Sequence, residues 1–187
     1  NRFFLFDHKS FETLAREGYL FPDTYFVPVT ATATSTILLL NDNFNRKISE
    51  ILPEIEDSGK TLNEIITMAS ILEGEVQSLE DRKIVSGILW KRISLGIALQ
   101  VDATFSYING KATKDLTLDD LKIDSPFNTY LYRGLPPTPI ATPGLESIEA
   151  ALNPTTTPYL YFLTGDDGEM YYSRTFDEHV EKKRKHL

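Results

Sequence analysis

The stretch "GLPPTPIATPG", residues 134–144, constrains this chain more than any other. Its prolines, Pro136, Pro137, Pro139 and Pro143, fix φ and remove backbone donors, so neither a helix nor a central strand runs through it. Regular structure must stand before it or after it.

Ahead of it, three helical runs are expected. "ATATSTILLLNDNFNRKISEIL" offers Thr34, Ser35 and Thr36 as N-caps, places Ile37, Leu40, Phe44, Ile48 and Leu52 at helical spacing, and meets Pro53 at its end. The second run starts near Lys60 and carries Leu62, Ile65, Ala69, Leu72 and Val76 on one stripe. "SLED" then caps a third, through "RKIVSGILWKRISLG", with Gly96 as C-cap and Lys91 and Arg92 near the negative end of the helix dipole. From "IALQVDATFSYI" the period moves towards two, and "TLDD" caps a short helix.

Beyond the prolines, Thr142 and Pro143 suit the N-cap and first position of "GLESIEAAL", which "NP" stops. "YLYFLTGDDGEMYYSR" reads as a hairpin with an Asp-Gly turn, and "TFDE" caps a last helix. The aromatic-rich first 30 residues, punctuated by Pro22, Asp23 and Pro28, read as loop and strand. With no βαβ rhythm and no repeats, the expected class is α+β: a helical core with short strands, a long Pro-rich loop and a C-terminal β-hairpin. Residues 1–30 are expected to end a preceding region and lead into a main domain at 31–187.

A chain of 187 residues that is 41% hydrophobic buries one good core. Its net charge of −8 repels phosphates, which argues against nucleic acid, and the basic "KKRKHL" reads as a solvated helix end or tail. The absence of cysteine removes disulfides, thiolate metal sites and thiol nucleophiles but leaves the compartment open. His8, His179 and His186 lack metal-ligand spacing, no serine sits in a nucleophile elbow, and "GDDG" lacks a calcium-loop ligand series, so neither metal nor cofactor is expected. "ILLL" at 37–40 is far too short to span a membrane, and with no initiator Met or signal pattern the chain reads as a piece of a longer protein.

The candidate chemistry lies in "ASILEGEV", residues 69–76. Glu73 and Glu75 are two apart and cannot face one another on a helix. On a helical wheel Glu73 projects between Leu62 and Ile66 on the shoulder of the apolar stripe, one turn beyond the small residues Ala69 and Ser70, where a bulky group has room to approach. Glu75 falls on the other shoulder beside Glu64 and reads as solvated. Glu73 is therefore the expected general acid.

"EGYLFPDTY", "ASILEGE", "GIALQVDATFSY", "DSPFNTYLYRGLPPTPIATPG" and "YLYF", in this order, resemble the YceG-like family of endolytic murein transglycosylases, from about Glu17 to the hairpin. The chain departs from the family pattern at "LQVDAT", where "LQTDPT" is usual, and at Gly74, where Lys is common. The resemblance implies a lyase that cuts the MurNAc–GlcNAc bond of peptidoglycan glycan strands and ends nascent strands, with a single catalytic Glu that maps onto Glu73. It also implies that residues 31–187 are the catalytic domain, and that an N-terminal anchor absent from this piece holds it on the outer side of the cytoplasmic membrane, with peptidoglycan synthases as candidate partners.

A single acid suffices if Glu73 protonates the glycosidic oxygen and then, as carboxylate, takes the proton of the muramoyl C6 hydroxyl, which closes on C1 to give a 1,6-anhydro end. A muramidase-type hydrolase would need a second carboxylate, for which Asp102 and Asp124 are available. A non-catalytic peptidoglycan-binding module is the other alternative. Gln100, Asp102, Thr104, Ser125, Asn128 and Tyr130 are the candidate sugar-binding residues, with Tyr107 or Tyr132 as stacking surfaces.

Overall fold

Capping motifs set the starts of the long helices in the computed structural model, which describes residues 8–187. A short helix, α1 (His8–Leu14), lies along α2 (Ala33–Asp57). The N-cap of α2 is Thr32, just ahead of the expected group: its hydroxyl accepts from Ser35 N–H at 3.1 Å while Thr32 N–H donates to Ser35 Oγ at 2.9 Å. The helix also runs through Pro53 rather than ending there. Pro53 is exposed, so water can serve the carbonyl left without a helical donor, and buried Ile55 anchors the last turn to the core. In the same manner Thr61 and Glu64 box the start of α3 (Leu62–Glu75). Ser78 caps α4 (Leu79–Ser94), which ends in a Schellman turn: Ile97 N–H donates to Arg92 O, Gly96 N–H donates to Ile93 O, and Gly96 has φ +65°.

Helix α3 is the centre of the molecule. Every residue from Ile65 to Leu72 is buried, the signature of a helix enclosed on all sides rather than of a surface helix with one apolar stripe. α6 (Leu145–Leu152), α4 and α5 (Ala103–Asn109) all pack on it. Phe44, Ile48, Val85, Leu89, Val101 and Ile148 complete the core around it.

Between α4 and α6 the chain has little regular structure. No strand forms in 97–108, against the period-two reading: residues 97–102 are irregular and the remainder coils into α5. Two short 3-10 turns, Thr113–Asp115 and Asp120–Lys122, follow. The Pro-rich loop is held to α3 by Ile140 N–H, which donates to Ser70 Oγ at 3.0 Å. The space beside Ser70 is thus filled by the protein's own loop.

The hairpin and last helix form as expected. β1 (Tyr161–Thr164) pairs antiparallel with β2 (Met170–Ser173) in the register Tyr161↔Ser173, Gly168 takes the left-handed turn position, and Thr175 caps α7 (Phe176–His186), which packs on both strands. Among the described residues before 31 there is α1 and irregular chain but no strand, because no second extended segment lies alongside to pair with it. Residues 1–7 of that expected loop-and-strand region lie outside the described residues. The architecture is α+β, helices around one buried helix plus a small sheet.

Candidate active site

The two glutamates at the end of α3 serve opposite flanks. Glu73 faces α6, where its Oε2 accepts from Gly144 N–H at 3.1 Å and from Ser147 Oγ at 2.7 Å. Those contacts are the work of an N-cap, supplied from a neighbouring helix. Gly144 has no side chain to cap with, and Thr142, expected to cap α6, donates instead to Glu17 at 3.3 Å. Glu73 borders a hollow with Phe21, Lys47, Arg82 and Glu146, away from the other candidate residues.

Glu75 faces α5 and is partly buried rather than solvated. Its Oε1 accepts from Ala103 N–H at 2.9 Å, satisfying one of the orphan donors at the start of α5. Burial pushes its pKa up to about 7, the Ala103 hydrogen bond opposing and the nearby Asp102 charge adding to the rise. Such a carboxyl holds its proton near neutrality and can also give it up there, as a group serving in turn as acid and base must.

Glu75 lines a cleft of about 630 Å³ together with Gln100, Asp102 and Tyr130, and with residues of β1 and α7. Gln100 is the one described residue other than glycine with positive φ, +53°. That conformation costs about 1–2 kcal/mol for an L-residue, and it is held by Gln100 N–H donating to Thr129 O at 3.0 Å and by Arg92 Nη2 donating to Gln100 Oε1 at 2.8 Å. Strain kept by surrounding contacts is characteristic of functional positions. Tyr130 OH donates to Asp102 Oδ1 at 2.6 Å; burial and the Asp102 carboxylate drive the phenol pKa well up, so it stays a donor.

Residues 5–185 match the sequence profile of the YceG-like family. The chain belongs to the YceG-like family. Its relatives include the endolytic murein transglycosylase of Bacillus subtilis (strain 168), 37% identical over 172 residues, which make up 91% of this chain and 48% of that protein. The protein of that name from Streptococcus pneumoniae serotype 2 (strain D39) is 33% identical over 177 residues, 91% of this chain and 32% of its own length. The chain thus spans about half of the first relative and about a third of the second. A crystal structure of a yceG-like protein from Listeria monocytogenes superposes with a TM-score of 0.83 at 36% identity, covering 88% of this chain and 54% of that one.

Within this YceG-like fold, three of the expected sugar-binding residues, Gln100, Asp102 and Tyr130, come together in the cleft. Thr104 and Asn128 do not: both are fully buried, the Thr104 hydroxyl donating to Val101 O and the Asn128 amide to Leu121 O and Ile123 O, so both brace the backbone that carries the cleft residues. Ser125 likewise accepts from Phe127 N–H within its own turn. Tyr107 packs on Phe127 and Tyr132 donates to Asp124, and neither lines the cleft. Sequence reading missed Arg92, Tyr161, His179 and Lys183, which do. The only signal for Arg92 was its position in the last turn of α4, where a dipole role was sufficient explanation.

Among the described residues no helix is long and apolar enough to cross a membrane.

Proposed function

We propose that this domain is the catalytic part of a lytic transglycosylase that cleaves the MurNAc–GlcNAc bond of peptidoglycan glycan strands without water, leaving 1,6-anhydro-MurNAc ends and so terminating nascent strands. The observation that carries the reading is Glu75: a partly buried carboxyl with its pKa near 7, in a sugar-sized cleft beside Gln100 and the Asp102–Tyr130 pair. The names of the relatives support the reaction class. The acid assigned is Glu75 and not Glu73, whose carboxylate is committed to capping α6.

With Oε1 of Glu75 accepting from Ala103, Oε2 is the oxygen left to carry the proton. It protonates the glycosidic oxygen as the C1–O bond breaks through an oxocarbenium-like state. The resulting carboxylate takes the proton of the muramoyl C6 hydroxyl, whose oxygen closes on C1. The C6 hydroxyl is intramolecular, where effective molarities reach on the order of 10⁵–10⁸ M, and it outcompetes water. The Asp102–Tyr130 pair and the unbonded amide nitrogen of Gln100 orient the sugars. Since the glycan is extracytoplasmic, the domain works outside the cytoplasmic membrane, alongside the synthases that make the strands.

A second reading rests on Asp102, whose charge reaches Glu75: a muramidase in which Asp102 activates water or attacks C1. Mass spectrometry of purified strands digested by this chain separates the two. The proposal expects each new muramoyl end to be lighter by one water than a reducing end and resistant to borohydride. Reducing ends would make the enzyme a hydrolase, and binding without cutting would make it a glycan-binding module.

A further inference from the structure

The cleft has a second wall that cleavage of a neutral sugar backbone does not require. It is formed by α7 and β1 facing α4, and it brings two cations to the cleft, Lys183 on α7 and Arg92 on α4, although the whole chain carries −8. Arg92 is 5% exposed, yet its guanidinium donates only to neutral acceptors, Ala98 O, Leu160 O and Gln100 Oε1, and among the described residues no carboxylate lies within ion-pair distance of it. A buried charge without a counterion is costly, and a cleft beside it is an invitation to an anion. His179 stacks on Tyr161 at 5.4 Å with its Nδ1 buried and unpartnered. Burial, then the charges of Lys183, Arg92 and Lys182, lower the pKa of His179, so its ring meets the cleft as a neutral imidazole able to donate one N–H. Lys183, one turn beyond His179 on the same face of α7, also lines the cleft and makes no ion pair among the described residues.

The acidic wall does not neutralise this one. Glu75 is held by Ala103 N–H and Asp102 by Tyr130 OH, and neither shares a hydrogen bond with Arg92, His179 or Lys183. In a peptidoglycan strand the anions are the carboxylates of the peptide stems, attached through the lactyl ether of the same muramoyl residue whose C1 bond would be cut. We propose that Lys183 and His179, backed by Arg92, form a subsite for a stem-peptide carboxylate, so that the cleft reads the peptide as well as the glycan. The basic end of α7 thereby has a function beyond solvation. This proposal rests on the reading of peptidoglycan strands as substrate.

The test is equilibrium binding in a Glu75→Gln background, in which cleavage is expected to be slowed about 10²–10⁴-fold. The probe is a murein tetrasaccharide with intact stems, compared with the same molecule whose stem carboxylates are capped as methylamides. Capping is expected to weaken binding about tenfold, the scale of one charge-assisted hydrogen bond partly exposed to solvent. Adding Lys183→Met should bring the free-carboxylate probe down to the capped level and leave the capped probe unchanged, and Lys183→Arg should restore the difference. Equal binding of both probes before Lys183 is changed, or an equal loss on both when it is, overturns the subsite. Failure of the unsubstituted chain to cut strands would overturn the proposed reaction, and leaves this binding comparison intact. Binding of neither probe would overturn the subsite, with the reaction still decided by cleavage.

Discussion

Glu75→Gln removes a carboxyl that folding takes out of water, and the consequence is measurable without substrate. Burial, opposed by the Ala103 N–H and reinforced by the Asp102 charge, raises its pKa from 4.5 to about 7. Between these values the folded chain keeps a proton that the unfolded chain releases, so stability falls as pH rises through this window and levels off above it. The full difference corresponds to on the order of 3 kcal/mol. Glutamine retains the shape and an acceptor for Ala103 N–H but has no charge to desolvate. The variant and the unsubstituted chain should therefore unfold alike near the lower end of the window, and the variant should be the more stable by on the order of 2–3 kcal/mol at mildly alkaline pH. Urea unfolding across the window reads this directly, and titrating groups not coupled to Glu75 cancel in the comparison. A difference that stays constant with pH would show that Glu75 is not desolvated and would remove the physical basis for making it the acid.

Two structural predictions accompany it. Glu73→Ala strips Gly144 N–H and Ser147 Oγ of their acceptor and should cost about 1–2 kcal/mol, as loss of an N-cap does; unchanged thermal stability would contradict its capping role. Gly87→Ala, which in an ordinary helix would stabilise, should destabilise by about 1–3 kcal/mol, because the new Cβ would stand 2.0 Å from Thr155 O and α4 would have to move; a raised melting temperature would refute that close approach.

Local signals were legible in the sequence and long-range ones were not. Ser78 with Asp81, Gly96, the Asp-Gly turn and Thr175 act within a few residues, and each forms as its pattern demands. The Thr142 cap failed because its competitor, Glu73, comes from a helix 71 residues away in sequence from Gly144. The partial burial of Glu75 was missed for a related reason. A helical wheel assumes one buried face, whereas α3 is enclosed on both flanks, and the residue that encloses Glu75, Ala103, lies in a segment whose period-two pattern concealed a helix. Gln100, Asp102 and Tyr130 were named among the polar groups that could orient a sugar, and the fold brings these three to one cleft. Thr104 and Asn128 were grouped with them because residues that shape a site and residues that line it share the same motifs, and burial alone tells them apart.

The central claim, that Glu75 and not Glu73 delivers the proton, is tested most directly by the cleavage rate of purified glycan strands with Glu75→Gln and Glu73→Gln side by side. Each glutamine preserves the shape and a hydrogen-bond acceptor, so circular dichroism should be unchanged in both. Glu75→Gln is expected to slow cleavage by about 10²–10⁴-fold, the usual contribution of a general acid, while Glu73→Gln cuts at close to the unsubstituted rate. The reverse pattern, with Glu73→Gln inactive and Glu75→Gln cutting normally, would contradict it and return the catalytic role to the α6 side of the helix.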